Sequence, residues 1–257
     1  LIGAPKQLTT VLGLIIGLAA ILFGNVLEGG TFTALIQPTA AFIVFGGTLG
    51  AVMLSHRVED LRQAMSYLKN AFAGNETSER SVIAGEIIQS AQLARRESVL
   101  ALETRLAKYQ DPFMRTVYRF VIDGVDPEVL RKLFEEEIAV TERRKMAAVK
   151  VWADAGGFAP TIGIIGAVLG LISVMANLAD TSMLGQGIGV AFVATIYGVG
   201  SANLVFIPIS NKLRSLIRFR SETEHMILQG ALSVVTGLNP YLIEQKMRAF
   251  NHETKST

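Results

Sequence analysis

Two prolines and a set of hydroxyl side chains occupy stretches of this sequence that carry no charge. Pro160, Thr161, Ser173 and Asn177 fall in one run, with Gly163, Gly166 and Gly170 among them. Thr195, Tyr197, Ser201, Asn203 and Pro208 fall in another, with Gly198 and Gly200. So many polar and small residues in otherwise apolar helices point to faces turned toward protein or water instead of lipid. A proline inside a helix removes a backbone donor and can kink it, at a cost of about 3 kcal/mol in a soluble setting, though in membranes prolines are commoner and often structural. A proton relay across a bilayer would need Asp, Glu or His at depth, and neither run has one. His56 and Asp154 lie at the borders of uncharged runs, where a solvated position is expected. If the protein handles a proton, the titrating carboxylate must therefore come from a partner helix.

Other chemistries are excluded more simply. There is no cysteine, hence no disulfide and no thiolate metal site. His56, His225 and His252 are scattered without metal-binding spacing. No phosphate-binding loop and no nucleophile elbow occurs, so no enzyme is expected and no cofactor. Gly185-Gln-Gly187-Ile-Gly189 reads as a short external turn, because no strand precedes it to make a dinucleotide site.

The elements that must position these groups are membrane spans. Gln7–Leu27, Gly29–His56, Ala155–Ala179 and Thr181–Asn211 contain no Asp, Glu, Lys or Arg. Each is long enough to cross about 30 Å of hydrocarbon at 1.5 Å per residue. The first run is longer than a signal-peptide core and lacks a small-residue cleavage site, so it is expected to be retained. All 24 basic residues fall on one side of the four spans: Lys6, sixteen between spans two and three, and seven after span four. Basic loops stay in the cytoplasm, so both termini and the long middle loop are expected inside. The fold class is all-α, a polytopic membrane protein with four transmembrane helices and a helical cytoplasmic domain. The expected divisions are 1–55 (spans one and two), 56–153 (cytoplasmic), 154–210 (spans three and four) and 211–257 (cytoplasmic helix and tail).

Within the cytoplasmic part, Asp126-Pro127-Glu128 reads as a helix start, with an Asp cap, a proline in the first turn and an acid at the positive end of the dipole. No glycine or proline follows before Gly156, so that helix is predicted to run straight into span three. Asp111-Pro112 starts another helix, residues 71–77 read as a loop, and Asn239-Pro240 marks a turn after an amphipathic stretch. Gly13/Gly17, Gly46/Gly50 and Gly166/Gly170 have the spacing that lets helix backbones approach in lipid, within one subunit or between subunits.

Spans three and four carry a resemblance. Gly157-Phe-Ala-Pro160-Thr-Ile-Gly163-Ile-Ile-Gly166-Ala-Val-Leu-Gly170 and Gly189-Val-Ala-Phe-Val-Ala-Thr195-Ile-Tyr-Gly198, followed by Ser201 to Pro208, are similar to the signatures of the MotA/PomA family, the larger subunit of the flagellar stator. Ala94-Arg-Arg-Glu-Ser-Val-Leu-Ala-Leu-Glu103 resembles the family's rotor-facing segment, and the likeness covers nearly the whole chain. It implies five such subunits around two MotB-type partners, whose aspartate binds the ion and whose outer domain grips peptidoglycan, in a bacterial inner membrane. It implies an ion pathway and partner-aspartate contact formed by Pro160, Thr161, Ala167, Thr195, Tyr197 and Pro208. It also implies a rotor interface at Arg95, Arg96 and Glu103 that meets the switch protein FliG. Eight residues separate Arg95 from Glu103, so both are expected on one face of a single helix.

Where sodium-driven relatives usually carry a threonine in span three, this chain has Ala167, which favours H+ over Na+ as the transported ion. Sodium must trade its water for fixed oxygen ligands, whereas a proton needs only the carboxylate. The implied mechanism is a stator that couples proton flow to rotation. An ExbB/TolQ-type energiser of outer-membrane processes is the alternative, opposed by its usual three spans and outside N-terminus. A passive scaffold would not need polar faces on spans three and four, and a self-contained channel would conduct alone.

Overall fold

The computed structural model describes residues 6–72, 76–178 and 181–252, and among them every regular element is helical. Residues 179–180 lie outside the described residues, as do 73–75 of the loop expected at 71–77, whose other four residues are helical. The chain divides into two compact units, Leu1–Gly74 with Lys145–Arg214, and Asn75–Arg144 with Ser215–Thr257.

The first unit holds four stretches long and apolar enough to cross a membrane. Helix α1 spans Lys6–Leu27 and exposes apolar side chains all round, from Val11 to Leu27, as a helix solvated by lipid does. A short 3-10 turn, Thr33–Leu35, leads into α2 (Pro38–Ala41), a π-helical turn over Phe42–Gly46, and α3 (Gly47–Ser55). Pro38 begins α2 where a missing N–H costs nothing. After His56, in extended conformation, the chain turns into α4 (Val58–Phe72). The remaining spans are the C-terminal part of α8 (Pro127–Ala176) and α9 (Thr181–Ser201), which passes through a π-helical turn, Ala202–Phe206, into α10 (Ile207–Val235).

Gly185, Gly187 and Gly189 lie inside α9, which corrects their expected assignment to an external turn. Glycine is a poor helix former in water. In hydrocarbon every backbone group must bond internally, so the helix continues through it.

The second unit is built from α5 (Glu76–Arg96), a 3-10 turn (Val99–Leu102), α6 (Glu103–Leu106), α7 (Pro112–Ile122) and α11 (Pro240–His252), with the N-terminal part of α8 and the C-terminal part of α10. Ile87, Leu102, Tyr118, Phe134, Met226 and Ile243 share its core. The Asp-Pro pairs start helices as the sequence predicts. Asp111 accepts from the Met114 N–H at 2.9 Å, and Asp126 accepts from Glu128 N–H at 2.9 Å and Val129 N–H at 3.2 Å. The predicted continuity also holds, since α8 runs unbroken from Pro127 to Ala176.

Candidate functional site: the open flank of a glycine seam

Helices α8 and α9 meet backbone to backbone. A Cβ on Gly163 would sit 2.9 Å from the Ala194 carbonyl oxygen, and one on Gly170 would sit 2.7 Å from the Gly187 carbonyl oxygen. A Cβ on Gly166 would meet that of Ala194 at 2.7 Å. Only glycine permits this approach, and the close packing it allows replaces the hydrophobic force that lipid does not supply. The Gly166/Gly170 pair therefore packs within one subunit, whereas a Cβ on Gly46 or Gly50 would meet nothing within 4 Å among the described residues.

The seam has two flanks. At about 100° per residue, Tyr197 projects to one side of α9 and Thr195 to the other. The Tyr197 side is closed by the second span: its hydroxyl donates to the Leu35 carbonyl at 2.5 Å and accepts from the Gln37 N–H at 3.3 Å. Its ring stacks on Phe45 with centroids 5.8 Å apart. Ile162 of α8 lies on the same side, its Cγ2 where a Cβ on Gly47 would come within 2.8 Å. The opposite flank carries Pro160 and Ala167 from α8 and Thr195 from α9, all half-buried. Thr195 donates to the Ala191 carbonyl at 3.2 Å, which leaves its oxygen lone pairs to accept. Thr161, exposed, donates to the Phe158 carbonyl at 2.8 Å. Of the six residues expected along an ion pathway, the structure thus brings Pro160, Ala167 and Thr195 together and sets Tyr197 apart as the fastening of span two.

Pro208 is exposed on α10, just past the π-helical turn. Its ring withholds the N–H that would bond the Leu204 carbonyl, and the widened turn makes room for the ring. Pro160 likewise cannot bond the Gly156 carbonyl. Gly156 packs on Ile207, whose Cγ1 lies where a Cβ would come within 2.7 Å, so the two proline-containing segments adjoin.

His56 is not a solvated border group, whereas Asp154 stays partly exposed. His56 Nε2 lies 2.9 Å from Asp154 Oδ2, with the side chains 8% and 29% exposed. The pairing is invisible in sequence because 98 residues separate the partners.

The rotor-type segment also departs from expectation. Helix α5 ends at Arg96, Ser98 is extended, and Glu103 opens α6 after the 3-10 turn. Arg95, Arg96 and Glu103 are all exposed, but they do not share one helix. The buried Leu102 draws the chain back onto the core, an effect of tertiary packing that no glycine or proline announces.

Comparison with known proteins gives the same architecture a context. The model of the MotA/TolQ/ExbB proton channel family matches residues 105–248, and that of the motility protein A N-terminal region matches residues 11–89. Motility protein A of Bacillus subtilis is 33% identical over 93% of this chain and 88% of its own length. The flagellar MotAB stator complex from Bacillus subtilis contains a chain that superposes with a TM-score of 0.86 at 31% identity, covering 97% of this chain and 100% of that one. A chain of C. jejuni MotAB superposes with a TM-score of 0.88 at 28% identity, covering 95% of each.

Proposed function

The chain belongs to the MotA/TolQ/ExbB proton channel family, and from that membership we propose how it works as the torque-generating stator subunit of a flagellar motor. It is a multi-pass membrane protein, with both termini on the cytoplasmic side, where its basic residues lie. Several copies, five around two, enclose the spans of a MotB-type partner that supplies the ion-binding carboxylate. The observation that carries this mechanism is the open flank: Pro160, Ala167 and Thr195 form a weakly polar surface beside the glycine seam with no ionisable side chain of its own. A proton route along a flank with no carboxylate of its own needs a partner's.

The transported ion is H+. A proton crossing from outside neutralises the partner's carboxylate beside Thr195 and leaves toward the cytoplasm past Pro160. Each charge moved releases about 2.3 kcal/mol per 100 mV. Discharging and recharging the carboxylate changes which copy of the flank it prefers, so the ring of subunits steps around the partner pair. Arg95 and Arg96 on α5 and Glu103 on α6, all exposed, pass the motion to the rotor protein FliG through salt-sensitive contacts.

Deleting the gene and scoring tethered cells tests this. Intact filaments that do not turn, rescued by the unmodified chain but not by Pro160→Ala, are expected. Normal rotation with lost outer-membrane uptake would overturn the stator assignment in favour of an energiser. Rotation speed that follows external sodium at a fixed proton gradient would overturn H+ as the ion.

A further inference from the structure

The segment between Arg96 and Glu103 does more than separate charges. Its centre is the 3-10 turn Val99–Leu102, in which residues three apart share a face. Val99 and Leu102 share the inward one: Leu102 is fully buried, and Val99 packs against the same core. Leu100 is left outside, and at 66% exposure it is the most exposed large apolar side chain of the second unit among the described residues. The chain that carries it is fastened. Arg105 donates to Gln89 Oε1 of α5 at 2.6 Å. The Ser90 hydroxyl gives its hydrogen to the Glu86 carbonyl at 2.7 Å, so in its 2.7 Å bond with Tyr109 the tyrosine hydroxyl is the donor. Both bonds tie the chain after the turn to α5, the helix that ends in Arg95 and Arg96. Single exposed apolar side chains are ordinary on protein surfaces. This one stands on a fastened turn, between exposed Arg95 and Arg96 on one side of it in sequence and exposed Glu103 on the other. Apolar at the centre and charged at the rim is the layout of a protein–protein contact.

We propose that Leu100 is the apolar anchor of the rotor contact, entering an apolar recess of FliG whose rim carries acid facing Arg95 and Arg96 and base facing Glu103. The inference rests on the rotor interface proposed above and adds to it a contact of a different kind. Charges steer the two surfaces together and weaken as salt rises. An apolar side chain acts only once the surfaces touch, and salt screening does not weaken it. Because Leu100 lies outside the core, the fold does not depend on it, and its loss reads out at the contact alone.

The test places a photo-crosslinking amino acid in the full chain, in flagellated cells, in place of Leu100, of Glu103 or of Val82. Val82 is exposed on α5 about 20 Å before Arg95 along the helix and serves as the control. Crosslinks to FliG from positions 100 and 103, and none from 82, are expected. In parallel, Leu100→Ser should insert, co-purify with the MotB-type partner and keep the thermal midpoint of the unmodified chain, yet turn tethered cells several-fold more slowly. Leu100→Met should restore most of the speed. Crosslinks from 103 without any from 100, or full speed with Leu100→Ser, would sink the anchor and leave the charged interface standing. Silence from both 100 and 103 would sink the rotor interface itself, and the anchor with it. Equal crosslinking from 82, or a lowered midpoint in Leu100→Ser, would also overturn the anchor, the first by showing no selectivity and the second by giving Leu100 a part in the fold.

Discussion

Gly198 of α9 lies against Pro160 of α8 so closely that a Cβ on the glycine would sit 3.2 Å from the proline Cα and 2.5 Å from the Ala159 carbonyl oxygen. The clash would be with backbone, which cannot rotate away. Gly198→Ala must therefore push the helices apart at the level of Pro160, a strain of about 1–3 kcal/mol. The variant is expected to insert and to turn the motor poorly or not at all, with a lower thermal midpoint in detergent. Wild-type rotation with Gly198→Ala would mean that the seam opens during the working cycle.

Tyr197→Phe tests the closed flank. The ring and its stacking on Phe45 survive, and only the hydroxyl that joins the Leu35 carbonyl and the Gln37 N–H is lost. The 3-10 turn and α2 would lose their tie to α9, at about 1–2 kcal/mol. Reduced stability of the purified protein with ion selectivity unchanged is expected. A changed ion response with stability intact would return Tyr197 to the ion route.

The features legible in the sequence are those set by local chemistry. Lipid imposes uncharged runs, so four spans can be counted from the placement of charge alone. Asp111-Pro112 and Asp126-Pro127 mark helix starts through caps and missing donors, while Asn239-Pro240, expected as a turn, opens α11. What stays hidden depends on which side chains meet. The periodicity of α9 cannot say that Tyr197 faces span two while Thr195 faces away, because both neighbours are apolar helices. The break between Arg96 and Glu103 follows from burial of Leu102, and the His56–Asp154 pair from a crossing of two distant segments. The π-helical turns at Phe42–Gly46 and Ala202–Phe206 carry no sequence mark of their own, although Pro208 supplies a reason for the second.

Arg80 gathers the second unit. Its side chain is 2% exposed, and its guanidinium donates to Thr223 Oγ1 at 3.0 Å, the Phe219 carbonyl at 2.8 Å, the Phe250 carbonyl at 3.3 Å and Glu222 at 3.1 Å. It also lies over the Phe219 ring, 3.9 Å from the centroid. Helices α5, α10 and α11 thus converge on one cation. Arg80→Ala would remove the shared donor from Thr223, Phe219, Phe250 and Glu222 and should cost about 2–4 kcal/mol. Hydrogen exchange should quicken along α11 before the rest of the unit. Uniform exchange would mean that α11 is held without Arg80, by the buried Ile243 and Met247 and by the Lys246 bond to Gln229.

Tyr118 presents the opposite case, a buried polar atom with no hydrogen-bond partner. The residue is fully buried, its ring packs on Tyr109 at 5.1 Å, and its hydroxyl is unpaired. Burial, with Tyr109 and Glu86 nearby, pushes the phenol well above its ordinary value of 10. In the unfolded chain this phenol ionises above pH 10, whereas in the folded chain it stays protonated. The unfolded state then binds fewer protons, so this residue's contribution to stability falls as pH rises beyond 10. Tyr118→Phe removes both the unpaired hydroxyl and this alkaline loss. The variant should be more stable by about 1 kcal/mol at neutral pH, with a shallower decline of the thermal midpoint between about pH 10 and 11. A destabilised variant would show that the hydroxyl has a partner, a water shared with Glu86 and Arg105, whose Oε2 and Nε are also buried and unpaired.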